Sequence, residues 1–330
     1  MPMLRRIAGL PFAALIMLVP ARAAAQMDLA PDTLAIAMAD LPLHGAPHAE
    51  SSFTAVLRTG DLARVVAVSP DGEWRDVRTR EARGWVPAER LIPFDSIYTL
   101  VAHKALARYW LQRTDAGADE FAAAVDALTL RLATARIESN DRTELAFLRY
   151  RLLQTAADAV MRLWYDDRRE EYEAMLPWIA LHADELVYGE PQGRWLVWAD
   201  LLWQLHDASE HPGLREAIAW YASSQPTPGE CEGYLPCIFH RARHTDGRYL
   251  DSHPQGAHAD EVVESLGEAL TWMADNATEE FGRADLCTEV VHSGALADLR
   301  ATVEGAGSPA VRAPTLAAMA RVAATCDGTP

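Results

Sequence analysis

The densest set of reactive side chains runs from Cys231 to His258. Cys231 and Cys237 are followed by His240 and His244. Two thiolates and two imidazoles in this order can wrap a tetrahedral zinc ion, since histidines four apart share one face of a helix. The same cysteines can be oxidised instead, and a bridge leaves no thiolate for a metal. Cys287 and Cys326 complete the complement, and proximity pairs Cys231 with Cys237 and Cys287 with Cys326. At this point both the bridges and the zinc alternative stand.

Other spacings suggest weaker chemistry. Glu230 and Glu232 flank Cys231, with Tyr234 close by. Paired carboxylates can do acid and base work on a glycan, or can be the solvated surface of a loop. His182 and Glu185, and again His258 and Glu261, lie three residues apart. That spacing holds metals in helical carboxylate proteins, and exposed helix faces also produce it. His253 adds one more imidazole to this stretch. Trp195, Trp198 and Trp203 can line a groove or pack a core, and aromatic burial favours the core. Trp74 and Trp85 face the same choice, as a ligand shelf or as strand residues half in the core. The chain has no Gly-x-Ser-x-Gly elbow, no His-Glu-x-x-His and no Gly-x-x-x-x-Gly-Lys phosphate loop. The absence of these motifs favours binding over catalysis.

The first residues bear on where such chemistry would happen. Arg5 and Arg6 precede the apolar stretch Leu10 to Val19, then Pro20 and the small residues Ala23 to Ala25. This is the pattern of a cleavable signal peptide over residues 1–25, too short to span a bilayer. Its removal takes Arg5, Arg6 and Arg22, leaving 27 basic residues against 47 acidic ones, a net charge of −20. So acidic a chain lacks the positive footprint that nucleic acid or an anionic membrane surface requires. No later stretch is apolar enough for membrane insertion once the signal is gone. An even cysteine count in an exported chain points to disulfides.

Between Ala35 and Leu91 the pattern is short, β-rich and punctuated by turns. Val65, Val66 and Val68 are β-branched, Ser69 to Gly72 is a turn signal, and Gly84, Trp85 and Val86 begin another strand. Leu57, Gly60, Leu62, Val65 and Val66 together resemble a strand of bacterial SH3 domains. Glu73 to Val77, followed by Gly84, Trp85 and Val86, resembles the paired tryptophan strands of that family. Leu41, Leu43, Gly45 and Pro47 stand where the family carries a run containing Arg and Ser, and both are missing here. The resemblance covers about 60 residues. It implies a small all-β barrel over residues 26–95 that docks a peptide or cell-wall component, with Trp74 and Trp85 as the ligand-facing aromatics. The unit from Leu34 to Phe94 is expected to fold separately.

From Ser96 the period becomes helical. Ser139 to Asp141 precedes Glu144 as a helix start, and Leu145, Leu148 and Leu152 follow on one face. Trp195, Trp198 and Leu202 repeat that spacing, and Pro191 to Gly193 and Pro254 to Gly256 are each expected to open a helix. About nine helices and no strand are expected, as an all-α bundle or short solenoid over residues 96–330. Arg248 to Glu261 is similar to the helix–Pro–helix junction of periplasmic tetratricopeptide-like proteins.

The expectation is therefore a multidomain exported protein, a small SH3-like barrel followed by a larger all-helical domain. It is expected in the periplasm or secreted. Its partner is expected to be a protein or peptidoglycan-type cell-wall component, with no cofactor and the helical body as an interaction platform. Two alternatives remain: an envelope-polymer hydrolase centred on Cys231 to His258, with zinc as its possible metal, and a stress or assembly factor with no small ligand.

Overall fold

A computed structural model describes residues 29–94, 99–114, 116–134, 139–190, 192–225 and 231–327. The leader, the linker residues Asp95 and Ser96, and the loop acid Glu230 lie outside the described residues.

The N-terminal part is one antiparallel sheet. Its strands are β1 (Leu34–Ala37), β2 (Leu41–His44), β3 (Phe53–Leu57), β4 (Leu62–Val68), β5 (Trp74–Arg78), β6 (Arg83–Pro87) and β7 (Leu91–Phe94). They are hydrogen-bonded in the order β3-β2-β6-β5-β4-β1-β7. The β4–β5 turn forms as its residues dictate, with Gly72 N–H donating to Ser69 O at 2.9 Å. Ser69 Oγ accepts from Trp74 N–H at 2.9 Å and ties the turn to the strand. Gly84 permits the β2–β6 pairing. A Cβ there would lie 2.8 Å from Leu43 Cβ and 2.9 Å from the His44 carbonyl oxygen.

Alternation on the strands builds the small core. Leu41, Leu43, Leu57, Val65, Val77 and Val86 face inward together, with Ala35 and Ala37 of β1. The other face of β1 is buried too. Ile36 and Met38, with Phe94 of β7, belong to the helical core. Gly60, at φ 84°, closes a second contact, since a Cβ on it would lie 2.6 Å from Ala127 Cβ. The two regions therefore share a buried seam, and cutting the chain near Asp95 would bare Ile36, Met38 and Phe94.

The helical part follows. It begins with α1 (Thr99–Leu111), α2 (Ala118–Thr134), α3 (Ser139–Tyr165) and α4 (Arg169–Leu181). A hairpin intervenes, β8 (Leu186–Gly189) and β9 (Arg194–Val197). Next come α5 (Ala199–Ala208), α6 (Pro212–Ser224), α7 (Leu235–Ala242), α8 (Arg248–Ser252) and α9 (Ala259–Asp275). The last are α10 (Arg283–Asp285), α11 (Ala295–Gly305) and α12 (Pro309–Ala324). Wider π turns at Arg243–Gly247 and Leu286–His292 join α7 to α8 and extend α10. Helix α3 starts at Ser139 and buries Leu145, Leu148 and Leu152 on one face, as its period predicts.

The hairpin corrects the expectation of helices alone. Pro191 lies outside the described residues, but Gln192 and Gly193 sit in its turn and open no helix. Trp195 is on β9, and Trp198 sits just ahead of α5, so their shared spacing is not one helical face. The cause is tertiary. Gln154 of α3 donates from Nε2 to Trp195 O at 3.0 Å and accepts from Val197 N–H at 2.9 Å. A buried side-chain amide thus satisfies a strand edge that would otherwise be costly inside the protein.

Two disulfides close the fold. Cys231–Cys237 has a Cα separation of 5.5 Å and Cys287–Cys326 one of 5.4 Å, as the sequence order suggested. They suit an oxidising, exported environment. No described helix is long and apolar enough to cross a membrane.

Candidate functional site

Two adjacent strands set the first site. In the β5–β6 register Trp74 faces Pro87 and Asp76 faces Trp85. Residues two apart on a strand share a face, so Trp74, Asp76 and Trp85 stand together. Val77 and Val86 point the other way, into the small core. Both tryptophans are half-buried, stand on the face opposite Val77 and Val86, and belong to neither cluster of buried apolar residues.

Two further rings complete this face. His44 pairs across β2–β6 with Trp85. Its ring meets Trp74 edge-on at 5.5 Å and Phe53 at 6.2 Å. Phe53 on the edge strand β3 is 60% exposed. His44 Nδ1 lies 2.9 Å from Ser51 O, which fixes the ring. Asp76 on this face is buried and accepts from Arg83 Nε at 3.0 Å and from Arg83 Nη2. The arrangement is an apolar, aromatic surface with one guanidinium at its rim. It can stack on rings, prolines or aliphatic chains and supplies no nucleophile or acid pair. His44 was missed by sequence reasoning because its position matters only through the β2–β6 pairing. It occupies the stretch where the bacterial SH3 pattern departs.

The Cys231 to His258 stretch is arranged differently from either sequence expectation of chemistry. The Cys231 and Cys237 sulfurs are bonded to each other, so the set Cys231, Cys237, His240 and His244 cannot supply two thiolates to zinc. Among the described residues no group of three or more His, Cys, Asp and Glu is placed to hold a metal ion. Glu232 is exposed, and Tyr234 donates to Asp285 Oδ2 at 3.0 Å. His258 stacks flat on Trp220 at 4.0 Å, with its Nδ1 3.3 Å from Glu261.

His182 lies past the end of α4 in a turn with Glu185, so the pair is not on a helix face. Glu185 accepts two bonds of 2.7 Å from the buried Arg149 and lies 2.9 Å from His182 Nδ1. Burial pushes the Glu185 carboxyl upward, but the bonds from His182 and Arg149 outweigh it and hold the pKa at about 2. The carboxylates of Asp126 and Glu185 raise His182. This network joins α3 to the turn after α4 and is spent on the fold. Trp203 is core at 3% exposure, Trp195 packs against the core, and Trp198 is half-exposed, so the three do not form a groove.

Comparison of the chain with protein-family models, with curated proteins and with solved structures returns no match.

Proposed function

We propose that this protein is an exported, non-catalytic binding protein of the cell envelope, periplasmic or secreted. Its sheet acts as an SH3-like barrel whose outer aromatic face docks a peptide or a peptidoglycan-type cell-wall component. The helical body serves as the platform that carries this face. The observation that supports the reading is the placement of Trp74 and Trp85 outside both cores, with His44 edge-on and Phe53 exposed. Burial of such rings contributes about 25 cal/mol per Å², so leaving several half-solvated makes sense where a partner covers them. Contact through aromatic faces also suits a chain whose net negative charge repels anionic polymers.

The test is sedimentation of the full mature chain with purified peptidoglycan sacculi. The expected result is co-sedimentation, weakened at least about tenfold by Trp85→Ala, since central aromatic anchors carry most interface energy. Circular dichroism of the variant should match the parent. No co-sedimentation of the parent, or equal binding by a folded Trp74→Ala/Trp85→Ala double variant, rejects the reading.

A further inference from the structure

The metal chemistry that the cysteine–histidine spacing suggested is blocked by a disulfide, but two other histidines meet. His206 of α5 and His253, just past α8, are separated by 47 residues and face each other with their Nε2 atoms 3.0 Å apart. His206 is 2% exposed, whereas His253 is half-buried and opens the pair toward solvent. His206 Nδ1 lies 2.7 Å from Asp207 Oδ1. A carboxylate only accepts at neutral pH, so His206 Nδ1 carries the proton, its Nε2 accepts, and His253 Nε2–H donates to it. Asp207 is itself steadied by Arg248 at 3.6 Å, and Arg248 lies over the Trp203 ring at 4.3 Å. Trp203 in turn meets His206 edge-on at 5.4 Å. His253 is held by its backbone N–H donating to Tyr249 O at 2.7 Å and by the Tyr249 ring at 5.7 Å.

We propose that His206 and His253 form a two-histidine site for an imidazole-seeking divalent transition metal, Cu2+ before Zn2+. Two imidazole nitrogens at about 2.0–2.1 Å from one ion stand about 2.9 Å apart at a right angle and about 3.3–3.4 Å apart at the tetrahedral angle. The observed 3.0 Å falls between these limits, and an ion entering there displaces the His253 Nε2 proton to Nδ1 or to solvent as the half-buried ring turns. A ligating histidine that gives its other nitrogen to a carboxylate is the usual outer arrangement of such sites, and Asp207 supplies it. With two protein ligands, water or a substrate group fills the remaining positions.

The probe is the metal ion alone, added to chelator-stripped full-length mature protein. Calorimetry should show Cu2+ bound more tightly than Zn2+, with Mg2+ not competing, the order expected of nitrogen ligands. Cu2+ should quench tryptophan emission through Trp203. His253→Ala, at a half-buried position, should lose one equivalent of Cu2+ and that quenching while keeping the parent's circular dichroism. His240→Ala and His244→Ala should change neither. A parent that binds no stoichiometric Cu2+ overturns the proposal. So does a folded His253→Ala variant that binds as the parent does, or competition by Mg2+ equal to that by Zn2+, which would mark generic binding to the acidic surface.

Discussion

Trp203 sits in the helical core at 3% exposure, with Arg248 over its ring. Trp74 and Trp85 lie on the sheet, half-buried, and join neither core. The polar groups divide less sharply. In the helical body Arg149 is closed on by Glu185 and Gln154 is closed on by β9, so their bonding capacity goes into the fold. On the sheet Asp76 is likewise buried, and only its partner Arg83 is exposed, at the rim of the aromatic face. A region that turns its rings inward reads as scaffold, and a region that leaves a ring such as Phe53 outward reads as contact surface. In the helical body His206 and His253 bring two imidazole Nε2 atoms within 3.0 Å of each other.

The largest effects should come from the inward side. Trp203→Ala removes a buried ring and should lower unfolding free energy by about 3–5 kcal/mol in a denaturant titration. Glu185→Gln leaves Arg149, whose side chain is 6% exposed, without its counter-charge, and should also cost about 3–5 kcal/mol. The pH dependence has a definite sign. Glu185 falls from 4.5 to about 2 on folding. Its contribution is present above about pH 4.5 and is lost as the pH falls through about 2. If Glu185→Gln melts like the parent, the network is not structural and His182 and Glu185 return as site candidates.

Next in size is the bridge that ties α12 back to the turn after α10. Cys287 and Cys326 are separated by 39 residues, and the chain-entropy account gives about 4 kcal/mol for a loop of that length. The Cys231–Cys237 bridge closes 6 residues and should be worth about 2 kcal/mol. Cys287→Ser/Cys326→Ser should therefore unfold at clearly lower denaturant than Cys231→Ser/Cys237→Ser. The reverse order would mean that the short loop carries more of the packing than its place suggests.

A smaller effect, of opposite sign, concerns Asp246 in the π turn before α8. Burial lifts its carboxyl from 3.8 to about 6, against the bonds from Ser265, at 3.0 Å, and Thr245. A raised carboxyl favours the folded state fully below about pH 4, and that contribution is lost as the pH rises through about 6. Asp246→Asn keeps a partner for Ser265 and removes the charge. It should stabilise the protein by about 1–2 kcal/mol at pH 8 and by nothing at pH 4. A variant less stable than the parent at pH 8 would show that Asp246 carries an interaction the fold depends on.

Much of this organisation was legible in the residues. The change of period at Ser96, the Ser69–Gly72 turn, the start of α3 and both disulfides follow from local pattern or sequence proximity. What escaped depends on contacts between distant elements. The β8–β9 hairpin is captured by Gln154, more than thirty residues earlier, and Trp195 and Trp198 keep a spacing that a helix would share. The burial of both faces of β1 follows from the docking of α1, which no strand pattern encodes. His44 joins the aromatic face through strand pairing, and His206 meets His253 across 47 residues.

The smallest expected change is the most telling for the sheet. Trp85 is half-buried, has His44 as its cross-strand neighbour and touches neither core. Cross-strand pairs of this kind contribute about 0.2–1 kcal/mol, so Trp85→Ala should lower stability by no more than about 1 kcal/mol. Trp74→Ala should cost slightly more, since the His44 ring meets Trp74 directly at 5.5 Å. Chemical denaturation of the three tryptophan variants side by side makes the measurement, with Trp203→Ala as the inward reference. If Trp85→Ala falls as far as Trp203→Ala, Trp85 is a core residue, and the difference between an outward sheet and an inward helical body disappears. If Trp85→Ala stays near the parent while its sedimentation with sacculi is lost, the ring is held for a partner. A residue that contributes little to folding and much to binding has no other physical reason to remain an aromatic on a half-solvated strand.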